Sequence, residues 1–403
     1  MASSVGNYQV LRLRPGREYS LLAGHPWLFS GAFAALPKEI PPGTVVDVLS
    51  SRGDWIARGH LSAANSLAFR LLTQDPLELI DTDFYLRRIE RALQLRGLLT
   101  RDVNAYRLVH AEADYLPGLI VDRYDRWLVA QFHTAGVERQ RREIVSALEQ
   151  VTSPEGILAR DDIRARRREG LLVGEASQAA GSVPETIEIQ ERQVHYLVDP
   201  WHGQKTGFFL DQRDKRACIG DMATHANSLL NCFSYTGGFA LAGLAANPSL
   251  RTVNVDTSSG ALQLAERIYQ MNGHSLSSQH EFVVSDVNRY LQEAAQEGRT
   301  FDIVILDPPA FAKSLDMKER ALRGYEALNT QGIRVVSPGG LLLTCYCSGV
   351  VGEAEFETAV RQSLRIAHRS AQMVTSFGPS LDHPSLLGFP EDRYLKALLL
   401  RLS

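Results

Sequence analysis

Three acidic residues, each placed at the end of a short apolar run, have the clearest potential for chemistry in this sequence. Asp256, Asp286 and Asp307 close runs that have the length of buried β-strands. In an open parallel sheet the carboxyl ends of the strands share one edge, and ligands bind at that edge. The sequence therefore predicts three carboxylates that converge on one ligand site.

A glycine turn precedes these acids and extends the pattern. An apolar run from Ser228 ends at Phe233, and Gly237 and Gly238 then lead into a helix-forming segment. Glycines let backbone N–H groups approach a ligand, which would lie at the helix N-terminus. Asp256 follows the glycines by about 20 residues, the spacing at which an acid accepts both ribose hydroxyls of an adenosine. We therefore expect a nucleotide-like ligand.

The residues around the turn favour S-adenosylmethionine over a dinucleotide. Residues 234–240 lack the Gly-x-Gly-x-x-Gly spacing that cradles a pyrophosphate. Several acids at one edge would also repel phosphates, whereas the sulfonium and ammonium groups of S-adenosylmethionine are attracted by carboxylates. We expect S-adenosyl-L-methionine as the cofactor.

Four stretches carry a resemblance to a known family: Gly203–Arg213, Asn231–Phe239, Asp307–Pro309 and Cys347–Gly349. In these, and over nearly its whole length, the chain resembles the bacterial 23S rRNA cytosine-C5 methyltransferases that carry an N-terminal PUA domain. The resemblance implies an α/β fold. It would consist of a Rossmann-like class I methyltransferase domain preceded by a small β-barrel (PUA-like) domain and an α+β middle domain.

The resemblance also implies which residues bind the cofactor. The stretch that begins at Gly203 is expected to close over it, with Lys205 also placed to contact RNA. The cofactor-binding residues expected on this basis are Phe208, Asp211, Arg213, Asn231, Phe233, Ser234, Tyr235, Thr236, Gly237, Gly238, Asp256, Ser258, Asp286 and Asp307.

Two cysteines offer a nucleophile for such a reaction. Cytosine C5 is itself a poor nucleophile, so its methylation requires a thiolate that adds to C6. Cys345 and Cys347 lie two residues apart, and a regular strand points both to the same face. Cys347 is nearer to the strand's carboxyl end and begins the Cys-Ser-Gly motif of the family's nucleophile. We predict Cys347 as the nucleophile and Asp307 as the hydrogen-bond partner of cytosine N3.

Three alternatives remain open at this point. Both cysteines would be ordinary small buried side chains if the thiol chemistry were absent. Ribosomal RNA guanine N-methyltransferases need no thiol and often place an aromatic residue directly after Asp-Pro-Pro, whereas here Phe311 comes one position later. A non-catalytic RNA-binding factor would use the PUA-like module alone, and clustered acids beside RNA argue against it.

The pattern along the chain predicts three domains. Residues 1–75 read as a β-rich PUA-like RNA-binding domain, residues 76–184 as the α+β middle domain and residues 185–403 as the methyltransferase domain. Residues 174–186, rich in Ala, Gly, Ser and Pro, predict a linker or a flexible loop. Glu112, Asp114 and Asp122 have no His partner at ligand spacing, so we expect no metal site.

Composition and charge indicate the compartment and the partners of the 403-residue chain. No stretch approaches the ~20 apolar residues of a membrane span, and the four cysteines form no disulfide framework, which predicts a cytoplasmic protein without a membrane partner. The net charge of −3 excludes only a protein that is basic throughout. We expect large-subunit ribosomal RNA as partner, with Arg12 and Arg14 binding it; a homodimer is left open. The arginine clusters are Arg12, Arg14 and Arg17; Arg139, Arg141 and Arg142; and Arg164, Arg166, Arg167 and Arg168.

Overall fold

The structure is a computed structural model that describes residues 8–99, 102–312 and 314–403. None of its described helices is long and apolar enough to cross a membrane. The chain forms two compact units. The domain boundaries that the sequence predicted near residues 75 and 184 stay predictions. The first unit lies within Met1–Ile189, Val198–Leu210 and Leu381–Asp392, and the second within Gln190–Leu197, Asp211–Ser380 and Arg393–Ser403.

The first unit begins with a five-stranded sheet. Its elements are β1 (Gln9–Arg12), α1 (Tyr19–Leu22), β2 (Trp27–Phe29), β3 (Thr44–Leu49), β4 (Trp55–Leu61) and β5 (Leu67–Thr73). The strand order is β1-β3-β4-β5-β2, and all neighbours are antiparallel except β1 and β3. A bridge between Leu13 and Phe33 joins the segments that follow the two edge strands. The sheet therefore curls towards a barrel around buried side chains such as Val46 and Phe69.

A second five-stranded sheet follows in the same unit, in the order β10-β9-β8-β7-β6. Its core packs two amphipathic helices against strands that are buried along most of their length. This is the predicted α+β part of the chain. Its elements are α2 (Thr82–Leu99), β6 (Ala105–His110), β7 (Leu119–Tyr124), β8 (Trp127–Phe132), α3 (Ala135–Arg139), α4 (Arg141–Thr152), β9 (Gly156–Arg160) and β10 (Ala176–Gly181).

Strand β10 contradicts the prediction of a linker over residues 174–186. It pairs antiparallel with β9, with Gly181 opposite Gly156. A Cβ atom on Gly181 would lie 2.2 Å from the Glu155 carbonyl oxygen, and one on Gly156 would lie 2.6 Å from Ser182. The small residues that suggested flexibility thus permit two backbones to approach closely.

The second unit is built on a seven-stranded sheet in the order β15-β14-β13-β16-β17-β19-β18. The first five of these strands are parallel and β19 is antiparallel, which confirms the predicted Rossmann-like fold with an edge hairpin. A hairpin of β11 (Ile187–Glu191) and β12 (Val194–Val198) precedes it. The elements that follow are α5 (Arg213–Met222), β13 (Ser228–Cys232), α6 (Gly238–Ala246), β14 (Arg251–Asp256), α7 (Ser259–Met271), β15 (His280–Val284), α8 (Val287–Gln296), β16 (Phe301–Leu306), α9 (Lys318–Arg334), β17 (Val336–Cys347), α10 (Glu353–Ile366), β18 (Ala371–Phe377) and β19 (Leu395–Leu402).

The central strands are buried on both faces, which explains their continuous apolar sequences. Leu230 and Cys232 of β13 and Val304 and Leu306 of β16 are fully buried. Their core also contains apolar side chains of α8, α9 and α10. The rigid centre of the sheet fixes the positions at which the strands end, and the predicted site residues lie there.

Candidate active site

The turn after β13 is held in an unusual backbone conformation. Phe233, Tyr235 and Gly237 have positive φ angles of 57°, 47° and 77°. Non-glycine residues rarely adopt this region, and such strain concentrates at functional sites. The Ser234 N–H donates to the Val255 carbonyl at 3.0 Å, and the Gly237 N–H donates to the Ser234 carbonyl at 2.8 Å. These bonds direct the chain straight into α6.

Asp256 fixes the same turn from the neighbouring strand. Its Oδ2 accepts the Tyr235 N–H at 2.9 Å, and its Oδ1 accepts the Ser258 N–H at 2.8 Å. Both oxygens therefore lie at the carboxyl edge of the sheet beside the glycine turn. Each carboxylate oxygen has a second lone pair, so Asp256 has further acceptor capacity for ligand hydroxyls.

Ser258 and Asp286 also cap helices at this edge. The Ser258 hydroxyl accepts the Ala261 N–H at 3.2 Å at the start of α7, and Asp286 Oδ1 accepts the Arg289 N–H at 3.1 Å at the start of α8. Ser and Asp are favoured at this position because they satisfy backbone donors that the helix leaves unpaired. The predicted roles of Ser258 and Asp286 in cofactor binding thus come in addition to a structural one.

Two buried polar atoms beside the turn fit a polar ligand. Asn231 donates through Nδ2 to the Asn254 Oδ1 at 3.1 Å, but its own Oδ1 has no hydrogen-bond partner among the described residues. The buried Ser234 hydroxyl likewise has no partner there. Leaving such a group unsatisfied costs about 1–3 kcal/mol. Together with Asp256, they present hydrogen-bonding groups of the kind that an adenosine cofactor requires. Thr236, also predicted as a cofactor residue, is buried in the same turn.

The segment before α5 connects three parts of the second unit. Asp211 Oδ2 accepts the Tyr394 hydroxyl at 2.6 Å, and the Arg213 Nε lies 3.5 Å from Glu191 Oε1. Between them, Gln212 Nε2 donates to Asp307 Oδ2 at 2.7 Å. The predicted residues Asp211, Arg213 and Asp307 are thus linked through a residue that the sequence did not single out.

The two cysteines of β17 differ in environment. Tyr346 between them stacks on Phe356 with ring centroids 4.0 Å apart, so the cysteines point to the opposite face of the sheet. Cys345 is 1% exposed, and burial together with the Asp307 carboxylate raises the pKa of its thiol well above the usual range. Cys347, the last residue of β17, is half-buried. Cys345 is therefore a neutral thiol, whereas Cys347 lies where the strand meets the edge.

The turn that follows Cys347 is fixed by the second residue of the Cys-Ser-Gly motif. The Ser348 hydroxyl accepts the N–H groups of Val350 at 3.2 Å and Val351 at 3.1 Å. The Ser348 N–H donates to the Tyr394 carbonyl at 3.0 Å. The backbone around the predicted nucleophile is therefore held in place before any substrate arrives.

The sequence shows which family this chain belongs to. A family model described as S-adenosylmethionine-dependent methyltransferase matches residues 125–380. The chain belongs to this methyltransferase family. A second model, described as a PUA-like domain, matches residues 11–74. The predicted methyltransferase and PUA-like parts and the predicted cofactor, S-adenosylmethionine, are thereby confirmed.

Curated relatives place the methyltransferase more closely. Ribosomal RNA large subunit methyltransferase I from Cronobacter sakazakii is 38% identical over 388 residues, which cover 96% of this chain and 97% of that protein. The enzyme of the same name from Escherichia coli strain SMS-3-5 is 38% identical over 394 residues, 97% of this chain and 99% of that protein. This chain is a member of the family that these enzymes represent, as its resemblance predicted.

Solved structures share the methyltransferase fold. A proposed SAM-dependent methyltransferase from Streptococcus mutans aligns with a TM-score of 0.82 at 23% identity, over 98% of this chain and all of that one. Another proposed methyltransferase, in complex with S-adenosylhomocysteine (SAH), aligns with a TM-score of 0.84 at 24% identity, over 98% of this chain and 100% of that one.

Other predicted residues of the methyltransferase lie in its first unit. Lys205 has its ammonium 4.6 Å from the centre of the Phe209 ring, and Phe208 is buried. Arg12 and Arg14 are exposed and each makes one side-chain bond to a backbone oxygen, with Ser51 at 3.3 Å and Phe33 at 2.9 Å respectively. Among the described residues, no group of three or more His, Cys, Asp or Glu side chains is arranged to hold a metal ion.

Sequence reasoning missed Gln212 and Lys215. Lys215 is fully buried, and its Nζ donates to the Asp211 carbonyl at 3.1 Å and to the Gly378 carbonyl at 2.7 Å. Burial lowers the pKa of its ammonium, against the opposing influence of Cys345, Asp211 and Asp307. The only signal in the sequence was the position of Gln212 inside the Gly203–Arg213 stretch that carries the family resemblance.

Proposed function

We propose that this methyltransferase transfers a methyl group to C5 of a cytosine in large-subunit ribosomal RNA, through a covalent adduct with the Cys347 thiolate. One observation carries the proposal: a half-buried cysteine ends β17, and Asp307 directly follows the neighbouring strand β16. The two strands are parallel neighbours with Leu306 opposite Thr344. A nucleophile and a base-binding carboxylate therefore belong to the same edge of the sheet.

Ribosomal RNA as substrate is supported by the relatives and by the domain composition. The relatives that cover almost the whole chain are named ribosomal RNA large subunit methyltransferase I. A PUA-like domain precedes the catalytic part. Sequence-specific enzymes that act on a base in structured RNA flip it into a pocket, where aromatic and polar side chains contact it.

In the proposed reaction, the Cys347 thiolate forms a bond to C6 of cytosine, and the π electrons of the C5–C6 bond move to C5. Bound S-adenosylmethionine supplies an electrophilic methyl group: the electron pair at C5 forms a bond to the methyl carbon as the bond from that carbon to sulfur breaks, and S-adenosylhomocysteine leaves. N3 takes up a proton from water as electron density develops in the ring, and Asp307 accepts a hydrogen bond from the resulting N3–H. The C5 proton then leaves to a base, the S–C6 bond breaks, and the N3 proton returns to water, which restores the C5–C6 double bond and the Cys347 thiolate.

The cofactor would be held by the residues around the glycine turn. Asp256 is the acceptor proposed for the ribose hydroxyls, because a carboxylate accepts from two neighbouring hydroxyls. Asn231 Oδ1 and the Ser234 hydroxyl are the buried groups that would gain partners. The remaining cofactor residues implied by the family resemblance, from Phe208 to Asp286, are proposed as further contacts to the cofactor.

The environment of Cys345 supports Cys347 as the nucleophile. A thiolate is required for addition, and a low pKa is needed to form it near neutral pH. Burial and the Asp307 carboxylate instead raise the pKa of the Cys345 thiol, which opposes formation of the thiolate. Cys345 is therefore unsuited to the role, although it lies on the same face of β17.

The position of Phe311 weakens the guanine N-methyltransferase alternative. An enzyme of that type would stack an aromatic side chain on the base after its Asp-Pro-Pro motif. Phe311 instead stacks on the buried Tyr325, with ring centroids 4.6 Å apart and an angle of 27° between the rings. Its partly buried ring packs against the protein core, so we retain cytosine C5 as the proposed target.

The test is methyl transfer to unmodified large-subunit ribosomal RNA by wild type, Cys347→Ala and Cys345→Ala, with mass spectrometry of the product nucleosides. We expect 5-methylcytosine from wild type and from Cys345→Ala, and a rate reduced by at least about 10⁴-fold for Cys347→Ala because the covalent step is lost. Methylated guanine as the product, or an active Cys347→Ala variant, would contradict the proposal.

A further inference from the structure

Gln212 contacts the carboxylate of Asp307 but has no part in the chemistry proposed above. Its Nε2 donates to Asp307 Oδ2 at 2.7 Å, the short end of the range for such bonds. Gln212 is 3% exposed, and its Oε1 has no hydrogen-bond partner among the described residues. Burying an amide with an unmade hydrogen bond costs about 1–3 kcal/mol. An apolar side chain could fill the same space without this free-energy cost, so packing alone does not explain the amide.

The backbone that carries Gln212 is anchored at Asp211, the residue directly before it. The Asp211 carbonyl accepts the Lys215 ammonium at 3.1 Å and both the N–H and the hydroxyl of Ser380, at 3.1 and 3.0 Å. The Asp211 carboxylate accepts the Tyr394 hydroxyl at 2.6 Å. The amide of Gln212 is therefore presented to Asp307 from a fixed position at the start of α5.

Other groups face Asp307 from the elements packed around it. Lys215 on α5 is a buried cation whose ionisation is influenced by the charge on Asp307. Cys345 on β17 interacts with the side chains of both Gln212 and Asp307, and Tyr325 on α9 is influenced by the charges of Asp307 and Cys347. Asp307 thus lies near a hydrogen-bond donor, a buried cation and the Cys345 thiol.

We propose that Gln212 is a positioning residue. It holds the Asp307 carboxylate in the orientation in which that group accepts a hydrogen bond from N3–H of the cytosine. This inference rests on the proposed function. A carboxylate that is already oriented needs no rearrangement when the base arrives, and preorganised groups of this kind lower the barrier of the chemical step. Gln212 should therefore affect kcat rather than binding of cofactor or RNA.

The first test replaces the amide. Gln212→Ala should lower kcat for 5-methylcytosine formation by about 10²-fold, the cost of a catalytic group displaced by about 1 Å. KM for RNA and Kd for SAH should change less than about threefold, because the interaction acts in the transition state. The matched control is Asn247→Ala, which removes two amide hydrogen bonds, to the carbonyls of Ala223 and Ala226, after the far end of α6. An equal loss of kcat in the control, or a loss confined to KM, would overturn the proposal.

The second test uses pH to separate positioning from general destabilisation. Gln212→Glu keeps the shape of the side chain but places a second carboxyl against Asp307. Two carboxylates at this distance share a proton, and the protonated form donates to Asp307 as the amide does. The ratio of the variant's kcat to that of wild type should therefore rise at least about tenfold between pH 8.5 and pH 5.5. A ratio independent of pH would contradict the positioning role.

The outcomes distinguish this proposal from the function on which it rests. If wild type forms no 5-methylcytosine, the proposed function and the role of Gln212 both fail. If wild type forms 5-methylcytosine and Gln212→Ala retains its kcat, the proposed function stands and the positioning role alone is wrong.

Discussion

At the scale of single residues, the carboxylate of Asp256 has two tasks that a mutation can separate. It accepts hydrogen bonds from the backbone N–H groups of Tyr235 and Ser258, and it is the proposed acceptor for the ribose hydroxyls of the cofactor. Hydrogen bonds to a charged group are worth about 1.5–3 kcal/mol, which corresponds to roughly 10–100-fold in affinity. Asp256→Asn replaces one acceptor by a donor, so we expect Kd for SAH to rise by that factor in isothermal titration calorimetry.

The matched control for this change is Asp302→Asn. Asp302 Oδ2 also accepts a backbone N–H, that of Asn227 at 2.7 Å, but it lies at the start of β16 and thus at the opposite edge of the sheet. We expect its SAH affinity to stay within about twofold of wild type. Equal losses in both variants would mean that Asp256 acts through stability rather than through the ligand.

At the scale of elements, the glycine turn should be sensitive to a single added methyl group. Gly237 has a φ of 77°, and a Cβ atom there would lie 3.3 Å from the Tyr269 ring. Alanine in this conformation costs about 1–2 kcal/mol. Gly237→Ala should therefore lower the thermal midpoint by roughly 2–8 °C and also weaken SAH binding, because the backbone that faces the ligand must shift.

Gly273 provides the control, since it has a similar φ of 81° after α7 and no described atom within 4 Å of an added Cβ. Gly273→Ala should show a comparable drop in the thermal midpoint with unchanged SAH affinity. Calorimetry of both variants with and without SAH checks this. Unchanged SAH affinity in Gly237→Ala would show that the turn does not contact the cofactor.

The elements also show why part of the structure was readable from the sequence. The parallel strands could be predicted because burial on both faces requires continuous apolar runs, and the acids that end them share one edge by geometry. Strand β10 could not be predicted in this way. Its small residues permit the close approach of Gly156 and Gly181, and that contact joins segments that are distant in the sequence. Gln212 was missed for the same reason, since its role depends on the position of Asp307 on another strand.

At the scale of the whole molecule, the distribution of charge matters more than its sum of −3. The three arginine clusters of the sequence are not equivalent in the structure. Arg166 is 4% exposed and lies within 3.1 Å of both Glu138 and Asp161, and Arg141 pairs with the same two acids. These arginines stabilise the first unit and are not available to phosphates. Arg12 and Arg14, in contrast, are exposed, as are the remaining members of the three clusters: Arg17, Arg139, Arg142, Arg164, Arg167 and Arg168.

We predict that Arg12 and Arg14 contribute to the salt dependence of RNA binding. Each phosphate contact contributes about 0.7–0.9 to the slope of log K against log salt, so the double variant Arg12→Ala/Arg14→Ala should lower the magnitude of that slope by about 1.4–1.8. Filter binding of the RNA at several salt concentrations measures it. The control is Arg361→Ala/Arg365→Ala on α10, where both arginines are exposed and the net charge falls equally, from −3 by two to −5. A slope that falls equally in both variants would show that net charge, and not the surface around β1, sets the affinity for RNA.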